Sequence, residues 1–141
     1  MRELPRQLTV DELAELFEGR TRFVERLAEL EDPLGRAREI AAELSDDEKK
    51  EVLDAHPAIG AKRLSARSAS EQGSDEAPEL DELNRRYEEK FGFRFVVFVN
   101  RRPKSALVPI LCERLERTRE QELATALDEL VAIAEDRWRT S

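Results

Sequence analysis

Apolar residues recur every three or four positions through most of this chain, the spacing of a helix with one buried face. Thr9 and Glu12 make a capping box, and Leu13, Leu16 and Phe17 follow on one side, so a first helix opens at Thr9 and breaks at Gly19. A second is predicted from Thr21, with Phe23, Val24, Leu27 and Leu30 on its apolar face and Asp32-Pro33 at its end. A third covers about 34–44. Ser45 and Glu48 form another capping box, and the fourth helix runs on through Val52 and Leu53. It must stop close to His56, because Pro57 disfavours a helical residue before it.

From 58 to 77 the periodicity weakens, and Gly60, Ser65, Ser68, Ser70, Gly73 and Ser74 predict a loop-rich stretch. Loops of that length inside a compact domain are often functional. Pro78 suits the first turn of a helix that carries Leu80, Leu83 and Tyr87 and stops near Gly92. Phe93-Arg94-Phe95-Val96-Val97-Phe98-Val99 is the one run with strand character, but no partner strand is evident. A buried extended stretch is therefore expected there. Pro103 and Ser105 open a further helix through Leu107, Ile110, Leu111 and Leu115, with Cys112 expected as an inert buried thiol. Thr118 and Gln121 cap a last helix with Leu123, Leu127, Leu130, Ile133 and Ala134 on its apolar side. Tyr87 and Trp138 are expected to pack against these last helices. No internal repeat or domain boundary interrupts the pattern, so the prediction is one all-α domain over 1–141, a helical bundle with a buried extended segment near 93–99.

Composition narrows the function. The chain is 40% charged with a formal net charge of -8, which opposes a general nucleic-acid surface but leaves room for a local cluster of arginines around an anion. One cysteine excludes an intrachain disulfide, and one histidine excludes a multi-histidine metal site within the chain. No apolar run approaches the roughly 20 residues of a membrane span. The polar N-terminus and the final Arg139-Thr140-Ser141 match neither a secretory signal nor the usual peroxisomal tripeptide, so a cytoplasmic setting is expected.

Three places carry candidate chemistry. His56 is the sole imidazole, with an ordinary pKa of ~6.5 that suits proton transfer near neutrality. A histidine stabilised by the dipole at a helix C-terminus fits the same position. If their stretch is helical, Ser68, Glu71 and Gln72 share one face and offer a hydroxyl, a carboxylate and an amide suited to a urea-like ligand; Ser68 with Glu71 equally reads as a capping box. Arg102 and Lys104 follow Arg101 just before a helix N-terminus at about Ser105, which suits either a carboxylate site or a solvated run of charge. Lys62 and Arg63 are alternative cations.

Taken in order, His56-Pro57-Ala58-Ile59-Gly60, Ser68-Ala69-Ser70-Glu71-Gln72, Leu83-Asn84 with Tyr87, and Phe91-Gly92-Phe93 with Phe95-Val96 resemble the 2-oxo-4-hydroxy-4-carboxy-5-ureidoimidazoline (OHCU) decarboxylases. The resemblance spans nearly the whole chain and implies an all-α, cofactor-free enzyme that is often a homodimer. Such an enzyme releases carbon dioxide from a urate-oxidation intermediate and leaves (S)-allantoin. By similarity His56 and Glu71 would be catalytic, and Pro57, Ser68 and Gln72 would line the substrate pocket. Arg102, Lys104, Ser105, Ala106, Leu107 and Val108 would supply a guanidinium and the backbone amides of the next helix. The family commonly has Gly-Arg where this chain has Arg101-Arg102, so a turn that demands positive φ would strain Arg101. Two other readings remain open on the residues alone: a catalytically silent helical domain that binds a partner, and a same-fold enzyme for another small ureido acid.

Overall fold

The computed structural model describes residues 7–56, 79–100 and 102–140. Among them are seven helices: α1 (Val10–Phe17), α2 (Arg22–Leu27), α3 (Pro33–Glu43), α4 (Asp46–Asp54), α5 (Glu79–Phe91), α6 (Lys104–Leu115) and α7 (Arg119–Thr140). The reciprocal bonds expected of both N-terminal capping boxes are present, Thr9 with Glu12 and Ser45 with Glu48. Thr118 and Gln121 exchange the same pair of bonds at 3.1 Å ahead of α7. The long α7 is the axis of the bundle, with α1, α3 and α4 laid against it; α2 bridges those three, and α5 pairs with α6. Leu123, Leu127, Leu130, Ile133 and Ala134 are buried on α7 as the spacing requires, and the core is one contiguous cluster.

Three local expectations are corrected. The first helix ends at Phe17, and the left-handed residue that breaks it is Glu18, at φ 65°, not Gly19. That unfavourable backbone is held by Arg137, which pairs with the Glu18 carboxylate at 3.0 Å and donates to the Leu16 carbonyl at 3.1 Å. The second helix stops at Leu27, well short of Asp32-Pro33, and Leu30 packs on the core from a turn. Cys112 is exposed, not buried. The buried stripe of α6 runs Leu107, Leu111, Arg114, and position 112 lies about 100° round the helix from 111.

Residues 93–99, the predicted extended segment, form neither helix nor strand and are largely buried, and no described residue forms a strand beside them. Their backbone is held by side chains. Arg114 donates to the Val96 carbonyl at 2.9 Å, Arg102 to those of Val99 at 3.0 Å and Phe98 at 2.5 Å, and Glu129 accepts from the Phe98 amide at 3.3 Å. Arg114 in turn belongs to a buried knot around Glu122, whose side chain is fully enclosed. One Glu122 oxygen accepts from Tyr87 at 2.6 Å and Arg114 at 2.7 Å, and the other from Arg117 at 2.9 Å. The Arg114 guanidinium also lies over the Phe95 ring, 4.6 Å from its centroid. This knot ties α5, α6, α7 and the extended segment together, and Tyr87 thereby packs against α7 as expected.

Removing one partner from a buried charge network leaves the others uncompensated. Glu122→Gln is therefore expected to lower unfolding stability by roughly 3–5 kcal/mol, read from urea curves followed by circular dichroism. Tyr87→Phe removes one donor to a charged group and should cost about 1.5–3 kcal/mol. A smaller loss for Glu122→Gln than for Tyr87→Phe would show that the carboxylate is not the centre of the knot.

Candidate functional site

His56 follows the end of α4, where Ala55 donates to the Glu51 carbonyl and His56 itself to that of Leu53, both at 3.2 Å. Its side chain is 5% exposed. Nε2 is buried and has no hydrogen-bond partner among the described residues. The surroundings are cationic on balance. Burial first, then the Arg137 guanidinium, and finally Arg94 push the imidazole pKa down to about 3, against an upward pull from Glu18. Glu18 reaches this neighbourhood because the end of α1 lies against the end of α4: a methyl group added at Gly19 would meet the Ala55 side chain at 3.4 Å. His56 is thus a neutral ring at pH 7, not the partly protonated group its ordinary pKa suggested, and a neutral imidazole offers one nitrogen as a proton acceptor.

Arg94 holds the backbone around His56. Its Nη1 donates to the His56 carbonyl at 2.6 Å and to the Asp54 carbonyl at 3.4 Å. Its own backbone amide donates to Asp54 Oδ1 at 3.0 Å. The start of the extended segment is therefore fixed against the residue that carries the imidazole.

The basic candidates sit at the other end of that segment. Arg102 is half-buried, and of its five N–H bonds two are engaged with the Val99 and Phe98 carbonyls. Lys104 and Ser105 form the first turn of α6, which has Pro103 at its N-cap and no side-chain cap. The Ala106 amide donates to the Pro103 carbonyl at 2.9 Å. The Leu107 side chain is fully buried in the core, and Val108 is half-buried. Among the described residues of the turn, Asn100 is left-handed, at φ 49°, and is a residue type that tolerates this conformation. Arg101 lies outside the described residues, as do Pro57, Lys62, Arg63, Ser68, Glu71 and Gln72.

A groove of about 510 Å³ runs between α3, the start of α4 and the start of α7; Arg38, Lys49, Arg119 and Asp128 are among the residues that line it, and it contains none of these candidates. Among the described residues no three His, Cys, Asp or Glu side chains are grouped to hold a metal ion, and no helix is long and apolar enough to cross a membrane. Sequence reasoning missed Arg94, Arg114, Glu122 and Arg137. A signal was there for the helical three: Arg114 is in phase with Leu107 and Leu111, and Glu122 and Arg137 with Ala126, Leu130 and Ile133.

The sequence model of the OHCU decarboxylase family matches residues 2–139. A relative from Haloferax volcanii, named 2-oxo-4-hydroxy-4-carboxy-5-ureidoimidazoline decarboxylase, is 32% identical over 89% of this chain and 84% of its own length. A uric acid degradation bifunctional protein of Bacillus subtilis is 31% identical over 95% of this chain, which spans 30% of that longer protein. In fold the chain is similar to a crystal structure of OHCU decarboxylase in the presence of (S)-allantoin, with a TM-score of 0.73 at 24% identity over 89% of this chain and 94% of that one. It also resembles an (S)-allantoin synthase, with a TM-score of 0.67 at 24% identity over 93% of this chain and 48% of that one.

A folded-state pKa below the unfolded value means that protons bind preferentially to the unfolded chain. The contribution of His56 is complete above about pH 6.5 and is lost as the pH falls towards 3. The difference in unfolding free energy between the wild type and His56→Gln should shrink by about 1.4 kcal/mol per pH unit between pH 6 and pH 4. With a single histidine in the chain, one imidazole NMR signal reports the site directly, and it should stay in its neutral position from pH 8 to pH 5. Titration near 6.5 would place the ring in water.

Proposed function

The chain belongs to the OHCU decarboxylase family of urate breakdown, and we propose that it releases carbon dioxide from 2-oxo-4-hydroxy-4-carboxy-5-ureidoimidazoline to leave (S)-allantoin, without a cofactor. The observation that carries the proposal is the His56 ring, buried and neutral, with Nε2 unpartnered among the described residues, at the point where the chain enters 57–78. That is the state a proton acceptor needs before substrate arrives.

The substrate supplies its own electron sink. The carbon that loses carbon dioxide carries a hydroxyl and neighbours a ring carbon doubly bonded to nitrogen, so the electron pair of the broken C–C bond moves towards that C=N. The hydroxyl proton passes to His56 as the oxygen becomes a carbonyl. One proton goes to the ring nitrogen that took the electron pair and one to the carbon that bears the ureido group, which creates the stereocentre; with the hydroxyl proton given up, the net reaction consumes one proton. An anion brought beside the ring opposes the field of Arg137 and Arg94 and raises the imidazole pKa, so substrate itself makes His56 a better base. In this reading Glu71 orients the imidazole or the urea arm, Ser68 and Gln72 hold the ureido group, and Pro57 shapes the wall. Arg102 and Lys104, with the α6 backbone from Ser105 through Ala106 and Leu107 to Val108, receive the carboxylate. Held too tightly in the ground state, that carboxylate would leave more slowly, so binding must favour the delocalised transition state. Residues 1–141 acting as one domain, a homodimer and a cytoplasmic setting belong to the same proposal.

A coupled assay tests it. Urate oxidase and hydroxyisourate hydrolase generate the unstable substrate, and (S)-allantoin is followed by circular dichroism. The wild type should accelerate its appearance over spontaneous decay, and His56→Ala should keep its helical spectrum while losing turnover at least about a hundredfold. Glu71→Gln should lower turnover with little change in the urea midpoint. A folded wild type with no acceleration would favour a silent interaction domain or a different ureido acid.

A further inference from the structure

Asp54 stands in the last turn of α4, where the partial negative charge of the helix end disfavours a carboxylate. Its bonds account for its presence. Oδ1 accepts the Arg94 backbone amide at 3.0 Å, and the other oxygen pairs with Lys50. Arg94 answers with its side chain, which donates to the carbonyls of both Asp54 and His56. The 2.6 Å bond falls on the carbonyl of the peptide that joins His56 to Pro57, the junction between α4 and 57–78. Beyond it, Arg94 Nε lies 3.6 Å from Glu88 Oε1 on α5. The brace therefore joins the end of α4, the extended segment and α5 at one guanidinium. Resting on the reading of His56 as the proton carrier, we propose that Arg94, braced by Asp54, is a positioning residue that fixes the direction of the imidazole through the backbone of His56.

A lysine in the same place carries the charge but lacks the planar guanidinium, whose Nη1 donates to both carbonyls while Nε faces Glu88. Charge and geometry are thus separable. Three charged groups act on the ring: Arg94 from the extended segment, Arg137 from α7 and Glu18 from the end of α1.

The test uses the coupled assay on the full-length protein with Arg94→Met, Arg94→Lys, Asp54→Ala and His56→Ala. Arg94→Met should lower kcat roughly tenfold or more with KM within about twofold of wild type. Its imidazole NMR signal should shift, because the carbonyl bond and one nearby charge are gone. Arg94→Lys should restore most of the imidazole titration but little of kcat. If Arg94→Met does not fold, Asp54→Ala, which breaks the brace and keeps the arginine, should reproduce the fall in kcat in milder form. In the His56→Ala background, Arg94→Met should have no further effect. Wild-type kcat in folded Arg94→Met or Asp54→Ala, alongside an inactive His56→Ala, overturns the positioning role and leaves the proposed reaction standing. An active His56→Ala sinks the reading of His56, and this inference with it.

Discussion

A buried backbone that lies in neither helix nor strand must find a partner elsewhere for every amide and carbonyl it takes out of water. In residues 93–99, inside a helical bundle, charged side chains meet that demand at the amides of Arg94 and Phe98 and the carbonyls of Val96, Phe98 and Val99. Arg102 and Arg114 supply donors to carbonyls, Asp54 and Glu129 accept from amides, and Arg119 donates to the Phe91 carbonyl just upstream at 3.0 Å. Arginine suits this work because its guanidinium is weakly hydrated and its N–H bonds are fixed in a plane. The same segment starts at the brace on His56 and ends at Arg102, so the backbone of both ends of the proposed site depends on how this one stretch is satisfied.

The sign of the local field differs from the sign of the molecule. The chain carries a formal charge of -8, yet the groups acting on His56 are two arginines against one glutamate. Arg137 does two jobs through one buried position: it stabilises the left-handed turn at Glu18 and, from the same place, disfavours a proton on the ring. The protonation of the imidazole and the backbone at the end of α1 are therefore coupled through a single side chain.

Much of the fold was legible because its signals are local. Thr9, Ser45 and Thr118 announce their helices within four residues, and the alternation of apolar positions predicts the faces of α1, α5 and α7. The isolated β-rich run at 93–99 was recognisable as buried, and as unpaired for want of a second run beside it. Where prediction failed at the end of α1, the deciding group was remote. Glu18 takes the left-handed turn because of Arg137 at the far end of the chain, while the neighbouring glycine looked like the obvious breaker. Cys112 looked buried because Ile110 and Leu111 are beside it, but the phase set by Leu107 and Arg114 turns it outward. Buried Arg114, Glu122 and Arg137 resemble ordinary solvated charges until their partners on other elements are known. The lone imidazole was conspicuous in the sequence, whereas its neutrality comes from burial and from groups distant along the chain.

The side-chain supports of 93–99 also govern what happens before they are in place. Asp54 and Glu129 lie 31 to 40 positions away from the amides they serve, so the stretch gains its partners only after α4 and α7 have docked. Until then Phe93-Arg94-Phe95-Val96-Val97-Phe98-Val99 is an apolar, β-prone ribbon with open edges and a single charge, and another nascent chain offers the strand that the native fold withholds. Aggregation during synthesis or refolding is thus expected to start at this ribbon, and chaperone binding to be directed to it.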